Sequence, residues 1–450
     1  MAQKRITQAV IFIHGIGEQR PMETLRRFVE AVLPDPPQGG EKFFSKPDRL
    51  SESFELRKLQ DRSQPRTHFY EYYWAYKVSG TTFGHIWNWL SSLLFRRPGR
   101  VPKHLKPLWY LSWLLIVIAV IAAALGLAER FTVFTTRFPT WLVSAVSAIA
   151  FSLLQSAVLY KLGDAARYLS PTPANIKLRH EIRSDGIKLL RNIHESGDYD
   201  RVVLVGHSLG SVIAYDILYY YWQEINTTYN TPVKSEQKAL TAVETKGEAL
   251  LKQRDETNLK EYLDAQKELW WELRDLGNPW LVTDLVTLGS PLAHAALLVA
   301  SDVDDLRSRQ RQRELPTNPP EAEIEIRAGE ERRRYSYRVW EPYEGDVKLR
   351  ALHHAGLFAC TRWTNLHFPA YLGLFGDIVA GPLQHWFGNG IRDIPVTTSK
   401  LWRNVTISAH SSYWYKGAVQ ESREAGARMN ALVALATALD LDGKKTYRSS

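Results

Sequence analysis

Residues 201–214 read RVVLVGHSLGSVIA: an unbroken apolar run behind Arg201, the turn Gly206-His207-Ser208-Leu209-Gly210, then the start of an apolar helix. A buried strand that turns at once into a buried helix leaves little choice of backbone at the corner. The residue there must accept a strained conformation, and its flanks must be glycine because strand and helix pass too close for a Cβ. Gly206 and Gly210 stand at those flanks and Ser208 at the corner. The pattern therefore predicts a strand–turn–helix unit of an α/β fold, with a serine hydroxyl presented at the carboxyl end of a strand.

The rest of the chain repeats that alternation. Ala9–Ile13 is a short apolar strand that breaks at His14-Gly15-Ile16-Gly17, followed by a helix over Pro21–Leu33 that the prolines after it stop. Thr67–Ala75, rich in aromatics, is expected as the second strand, and Leu281–Leu288, Arg362–Phe368 and Trp402–Ser408 as later ones. Asn175–Glu195 carries a helical stripe of Leu178, Ile182, Leu189, Leu190 and Ile193, and Val419–Leu439 predicts a closing amphipathic helix. Strands alternating with helices imply a mostly parallel sheet covered by helices on both faces. Between Thr231 and Leu276 Lys, Glu and Arg dominate, with Glu248–Lys252 and Glu256–Lys260 spaced for helical ion pairs; this reads as an inserted helical hairpin, as a lid or as a solvated surface. Asp302–Arg334, charged and proline-containing, is expected to be a flexible loop.

One insertion has a different character. Residues 108–128 and 140–160 are each uncharged over about twenty positions, the length that spans a hydrocarbon core. Trp109, Trp113, Trp141 and Tyr160 lie near their ends, where aromatic rings favour the interface. The small residues Ser144, Ser147, Ala148, Ser152 and Ser156 predict a close-packing face toward Ala119, Ala122, Ala123 and Gly126. The expectation is a two-helix transmembrane hairpin with a lipid bilayer as partner. Arg96, Arg97, Arg100, Lys103 and Lys106 precede it and Lys161 and Arg167 follow it, which puts both long flanks, and so the catalytic domain, on the cytoplasmic side. Residues 78–95 group apolar side chains at helical spacing, either as an interfacial helix or as one packed on the core.

The chain thus divides into a first part of the α/β domain (1–77), the membrane insertion (78–170), the core with the serine turn (171–230), the charged helical insertion (231–277) and the rest of the core (278–450), with the loop at 302–334. The net charge of +9 sits largely in the run before the insertion and in Arg307–Arg313 with Arg332–Arg334 among glutamates, so no nucleic-acid partner is expected. The single cysteine, Cys360, excludes an intramolecular disulfide.

A serine hydroxyl needs a base, a group that orients the base, and donors for the oxyanion. With the order Ser, then Asp or Glu, then His, the late histidines are the candidates for the base. His410, expected in a loop after a strand and before the last helix, fits best; His385 is the alternative. Asp377, framed by apolar residues after the 362–368 strand, is the expected acid, with Asp393 and Asp346 as alternatives. The oxyanion donors are expected to be the backbone N–H groups of Leu209 and, from the first turn, Ile16, whose flanking Gly15 and Gly17 let the chain aim an amide inward. His207 is expected to pack beside the turn. No metal motif is present, and no cofactor is expected.

Ile11–Gln19, Val202–Ser211, Leu285–Ala293, Trp363–Leu383 and the isolated His410 together resemble the α/β-hydrolase superfamily in its lipase-like branch, and the G-S-P-L and W-x-N-x-x-x-P segments look like those of DDHD-type phospholipases. The resemblance implies a serine hydrolase of carboxylic esters, acting on lipids. Two departures stand out: a longer stretch between Pro369 and Asp377, and the insertion at 78–170. The other readings are an acyl-protein thioesterase or acyltransferase using the same acyl-serine, and a non-catalytic membrane scaffold that uses the charged insertion as its surface.

Overall fold

The computed structural model describes residues 6–15, 20–36, 39–63, 65–78, 98, 106–131, 145–146, 168, 173–229, 237–327, 330–339, 349–370, 376–417 and 428–447. Nine strands form one sheet: β1 (Thr7–Ile13), β2 (Phe43–Pro47), β3 (Arg57–Asp61), β4 (Arg66–Tyr72), β5 (Arg201–His207), β6 (Val282–Leu288), β11 (Arg362–His367), β12 (Arg392–Thr397) and β13 (Met429–Asn430). Their order is β13-β12-β11-β6-β5-β1-β4-β3-β2. The seven strands from β13 to β4 pair in parallel; only β2 and β3, at one edge, run antiparallel. The remaining four form two small hairpins, β7 (Glu323–Arg327) with β8 (Glu330–Arg334) and β9 (Ser336–Arg338) with β10 (Arg350–Leu352). This is an α/β fold built on a large, mostly parallel sheet.

The central strands are buried and mostly apolar because both faces are covered, and polar members such as Gln8, Arg201, Thr283 and Asp284 are hydrogen-bonded to one another. Successive residues of β1 enter opposite cores. Ala9, Ile11 and Ile13 pack with α3 (Pro173–Glu195) and α4 (Leu209–Ile225), whereas Val10 and Phe12 pack with α1 (Glu23–Val32) and the last helix, α8 (Ala431–Leu439). The charged insertion is a helical hairpin, α5 (Lys238–Lys252) and α6 (Glu256–Asp275), with Asp255 capping α6 by accepting the Asn258 N–H at 2.8 Å. It buries Leu240, Val243, Leu259, Tyr262, Leu269 and Trp270 in the first core, so one face is a structural layer, while Glu248–Lys252 pairs outside at 2.7 Å.

Several expectations need correction. Residues 402–408 are not a strand: Leu401–Val405 is a helical turn and Ile407–Ser411 a 3₁₀ turn, with Trp402 and Thr406 exposed and Arg403–Val405 only half-buried, so the segment has no buried face to place in a sheet. The strand at 66–72 is the fourth in the chain, after the edge pair β2–β3, whose mostly exposed residues lack the apolar signature of a central strand. Residues 302–334 are not a flexible loop where described. Asp302 caps α7 (Val303–Arg311) and β7–β8 follows as a hairpin, while Arg307 and Gln310 donate to the Trp386 carbonyl.

The transmembrane hairpin has no support from the structure. Residues 106–131 do form one helix, α2 (Lys106–Phe131), yet among the described residues no helix is long and apolar enough to cross a membrane. Of the second segment, 140–160, only 145–146 are described, and residues 79–97 also lie outside the described residues.

Candidate active site

β5 ends at His207, and Ser208 takes φ 54°, ψ −129° before α4 begins. This positive φ on a non-glycine residue is the strain the sequence predicted, worth on the order of 1–3 kcal/mol. The turn is held by its neighbours: the Ser208 N–H donates to the Leu288 carbonyl on β6 at 2.8 Å, and Ser211 Oγ donates to the Ser208 carbonyl at 2.6 Å. A Cβ on Gly210 would stand 2.1 Å from the Ile13 carbonyl oxygen, and one on Gly206 2.4 Å from Ser211 Cα, which is why both flanks are glycine.

The expected base and acid, His410 and Asp377, meet in the segments that follow β12 and β11. His410, in the 3₁₀ turn, has Nδ1 2.9 Å from both Asp377 oxygens. An imidazole that donates from Nδ1 leaves Nε2 free to accept a proton. Asp377 is fully buried and also accepts the Tyr413 hydroxyl at 2.7 Å and the Val379 N–H at 3.1 Å. Burial and the adjacent carboxylate push the Tyr413 phenol far above its ordinary range, so it stays a donor. The turn Gly289-Ser290 after β6 closes on this pair: Gly289 has φ 62°, and a Cβ there would meet Tyr413, Asp377 and His410 at 2.9–3.1 Å.

His410 reaches the serine turn through His207. The His207 Nε2–H donates to the His410 carbonyl at 2.8 Å, and the two rings lie 5.0 Å apart. His207 thus does more than pack: it ties the base-bearing turn to the residue before Ser208. A Ser208–His410 hydrogen bond is not among the contacts, and catalytic hydrogen bonds of this kind are often long until substrate binds.

On the other side, β1 ends at His14-Gly15. A Cβ on Gly15 would be 2.7 Å from Ser208 Cβ, so the start of this loop abuts the nucleophile. His14 is completely buried and stacks on Trp74, and burial pulls its imidazole down to about 4. It is neutral, and Nδ1–H donates to the Gly15 carbonyl at 2.7 Å while Trp74 Nε1–H donates to the His14 carbonyl at 3.0 Å. Ile16 and Gly17, the expected second oxyanion donor and its flank, lie outside the described residues; Leu209, the expected first donor, opens α4 and is buried.

The alternatives fall elsewhere. Asp393 serves β12 and its surroundings, accepting from Asn365 Nδ2 and from the Leu383 and Gln384 amides at 2.7–2.9 Å. His385 lies in a short helix whose carbonyl takes Arg307, and Asp346 is outside the described residues. His294, through Nε2–H to the Ile378 carbonyl at 3.0 Å, steadies the acid's loop. Sequence reasoning missed Tyr413 and the tethering role of His207. Tyr413 lies three residues after His410, and only folding brings its hydroxyl to a carboxylate 36 positions earlier. Among the described residues no group of three or more His, Cys, Asp or Glu could hold a metal ion.

No family model, no curated protein and no solved structure matches this chain.

Proposed function

We propose that the chain is a serine hydrolase of carboxylic esters, with Ser208 as nucleophile, His410 as base and Asp377 as the orienting acid. The observation that carries this reading is the strained Ser208 turn beside a buried Asp377–His410 pair, the three groups lying in the segments that follow the parallel strands β5, β11 and β12. Open α/β sheets gather functional groups at that edge. His410 Nε2 takes the Ser208 proton as Oγ attacks the ester carbonyl, and the developing oxyanion is held by the Leu209 N–H and an amide of the 14–17 loop. Collapse expels the alcohol, protonated by His410. Water, deprotonated by the same imidazole, then releases the acid and restores Ser208. Asp377 stays ionised and stabilises the imidazolium. In this reading the chain is a member of the lipase-like α/β-hydrolases.

The proposal extends to location: an enzyme working on lipid or acylated substrates at a bilayer, its catalytic domain on the cytoplasmic side. The basic run Arg96–Lys106 supports it, as do the apolar side chains that α2 leaves exposed, Leu114, Val117, Val120 and Ile121. The decisive experiment uses a fluorophosphonate probe on the full chain. Wild type labels and Ser208→Ala does not; labelling that survives the substitution ends the assignment. Alkaline carbonate extraction of the expressed protein tests the membrane half, and full release into the supernatant refutes stable insertion.

A further inference from the structure

A cavity of about 550 Å³ opens between the end of β4, the 50–56 segment and α3, within the size range of small-molecule sites. Its wall strand β4 lies two strands from the serine strand β5. Tyr72 on its wall pairs with Ile13, and Ile13 pairs with Gly206, so β4 and the serine strand are separated only by β1. Two strand spacings amount to ~10 Å.

Its walls have one chemical character. Tyr72, Tyr73 and Tyr76 line it, with Tyr73 and Tyr76 roughly parallel at 6.0 Å between centroids, and Phe54 at the rim is fully exposed. Lys77 Nζ lies 5.1 Å from the centre of the Tyr76 ring, so this ring already engages a cation, and Lys188 also lines the space. Four carboxylates line the same space. Glu52 pairs with Lys188 at 2.6 Å and Asp185 with Lys77 at 2.7 Å, whereas Glu55 and Glu71 have no cationic partner among the described residues.

Glu71 is the unusual one. It is 1% exposed; Oε2 accepts the Met22 N–H at 2.5 Å, and Oε1, though buried, has no hydrogen-bond partner. A buried carboxylate oxygen left unpaired costs free energy that a ligand can recover. Burial pushes this carboxyl up to about 7, against the Met22 N–H bond that pulls it down. Aromatic faces around surplus carboxylates select a weakly hydrated organic cation over an anion or a neutral group.

We propose that this cavity binds an alkylammonium group, the positively charged head of the ester that the neighbouring serine would cleave. The binding half stands by itself; the substrate half rests on the esterase reading. Because Met22 closes the loop that begins at His14-Gly15, a cation at Glu71 would sit at the far anchor of the proposed oxyanion loop.

Binding is tested by isothermal titration calorimetry on the full chain with choline and its neutral isostere 3,3-dimethylbutan-1-ol. Wild type is expected to bind choline at least tenfold more tightly than the alcohol. Glu71→Gln and, as the exposed and structurally safe alternative, Tyr76→Leu should each weaken choline at least fivefold. Equal affinity for the two compounds, or choline binding unchanged in both variants, overturns the site. For the substrate half, kcat/KM is compared for butyrylcholine and 3,3-dimethylbutyl butyrate. A preference for the cationic ester that shrinks at least fivefold in Tyr76→Leu supports it, and equal rates on both esters overturn it. A chain that binds choline but hydrolyses neither ester refutes the esterase reading while the cation site stands.

Discussion

Replacing Asp377 with Asn keeps the side chain's shape and removes what the site uses. Oδ1 accepts the Val379 N–H at 3.1 Å and Oδ2 the Tyr413 hydroxyl at 2.7 Å, while His410 Nδ1 lies 2.9 Å from both. An amide offers a single oxygen, so whichever way it turns, one donor faces N–H₂. Losing one hydrogen bond to a charged acceptor costs about 1.5–3 kcal/mol. The imidazolium formed during proton transfer also loses its counter-charge, worth about 4 kcal/mol for a unit pair near 4 Å at an effective dielectric of about 20. At the low end these reach about 5.5 kcal/mol, or roughly 10⁴-fold in kcat. A serine-protease acid changed in the same way loses a similar factor, on the order of 10⁴. The assay is steady-state hydrolysis of p-nitrophenyl butyrate, with circular dichroism and thermal unfolding to show that the variant is folded. KM should stay near wild type and fluorophosphonate labelling should slow in proportion to kcat. A folded Asp377→Asn within tenfold of wild type would refute the role given to this carboxylate.

Tyr413→Phe removes the 2.7 Å hydrogen bond to Asp377 and should lower kcat about 10–100-fold; equal kcat in Tyr413→Phe and wild type counts against the contact. Asp284, buried between Arg201 and Arg362, has its carboxyl pulled from 3.8 to about 2 by the two guanidiniums acting against burial. A depressed folded value means stability present above pH 4 and lost as pH falls through about 2, amounting to about 2 kcal/mol, and urea midpoints at pH 5 and pH 2 should separate wild type from Asp284→Asn accordingly. Glu71 runs the opposite way. Its folded value is raised from 4.5 to about 7, so the native state binds the extra proton in that window and stability falls by about 3 kcal/mol as pH rises across it. Glu71→Gln should flatten that slope, and an unchanged slope refutes the assignment. Gly210→Ala drives a Cβ into the Ile13 and His14 carbonyls and should cost more than about 4 kcal/mol, read as unfolding or insoluble expression.

Local patterning determined the parallel core and the serine turn. A strand covered on both faces is mostly apolar, and a strand-to-helix corner must be flanked by glycine, so β1, β5, β6 and α4 were readable from 9–13, 201–214 and 281–288. The order Ser208, Asp377, His410 was readable too, because the chemistry dictates residue types. Edge strands β2 and β3 and the ordered 303–334 segment were not: exposed polar residues carry no period, and their order comes from partners distant in sequence. Only the tertiary structure decided that Tyr413 and Val379 satisfy Asp377, that His207 holds the His410 turn, and that Glu71 lies unpaired beside three tyrosines. These are contacts across different elements, set by where the sheet brings strand ends together, and no spacing along a single chain encodes them.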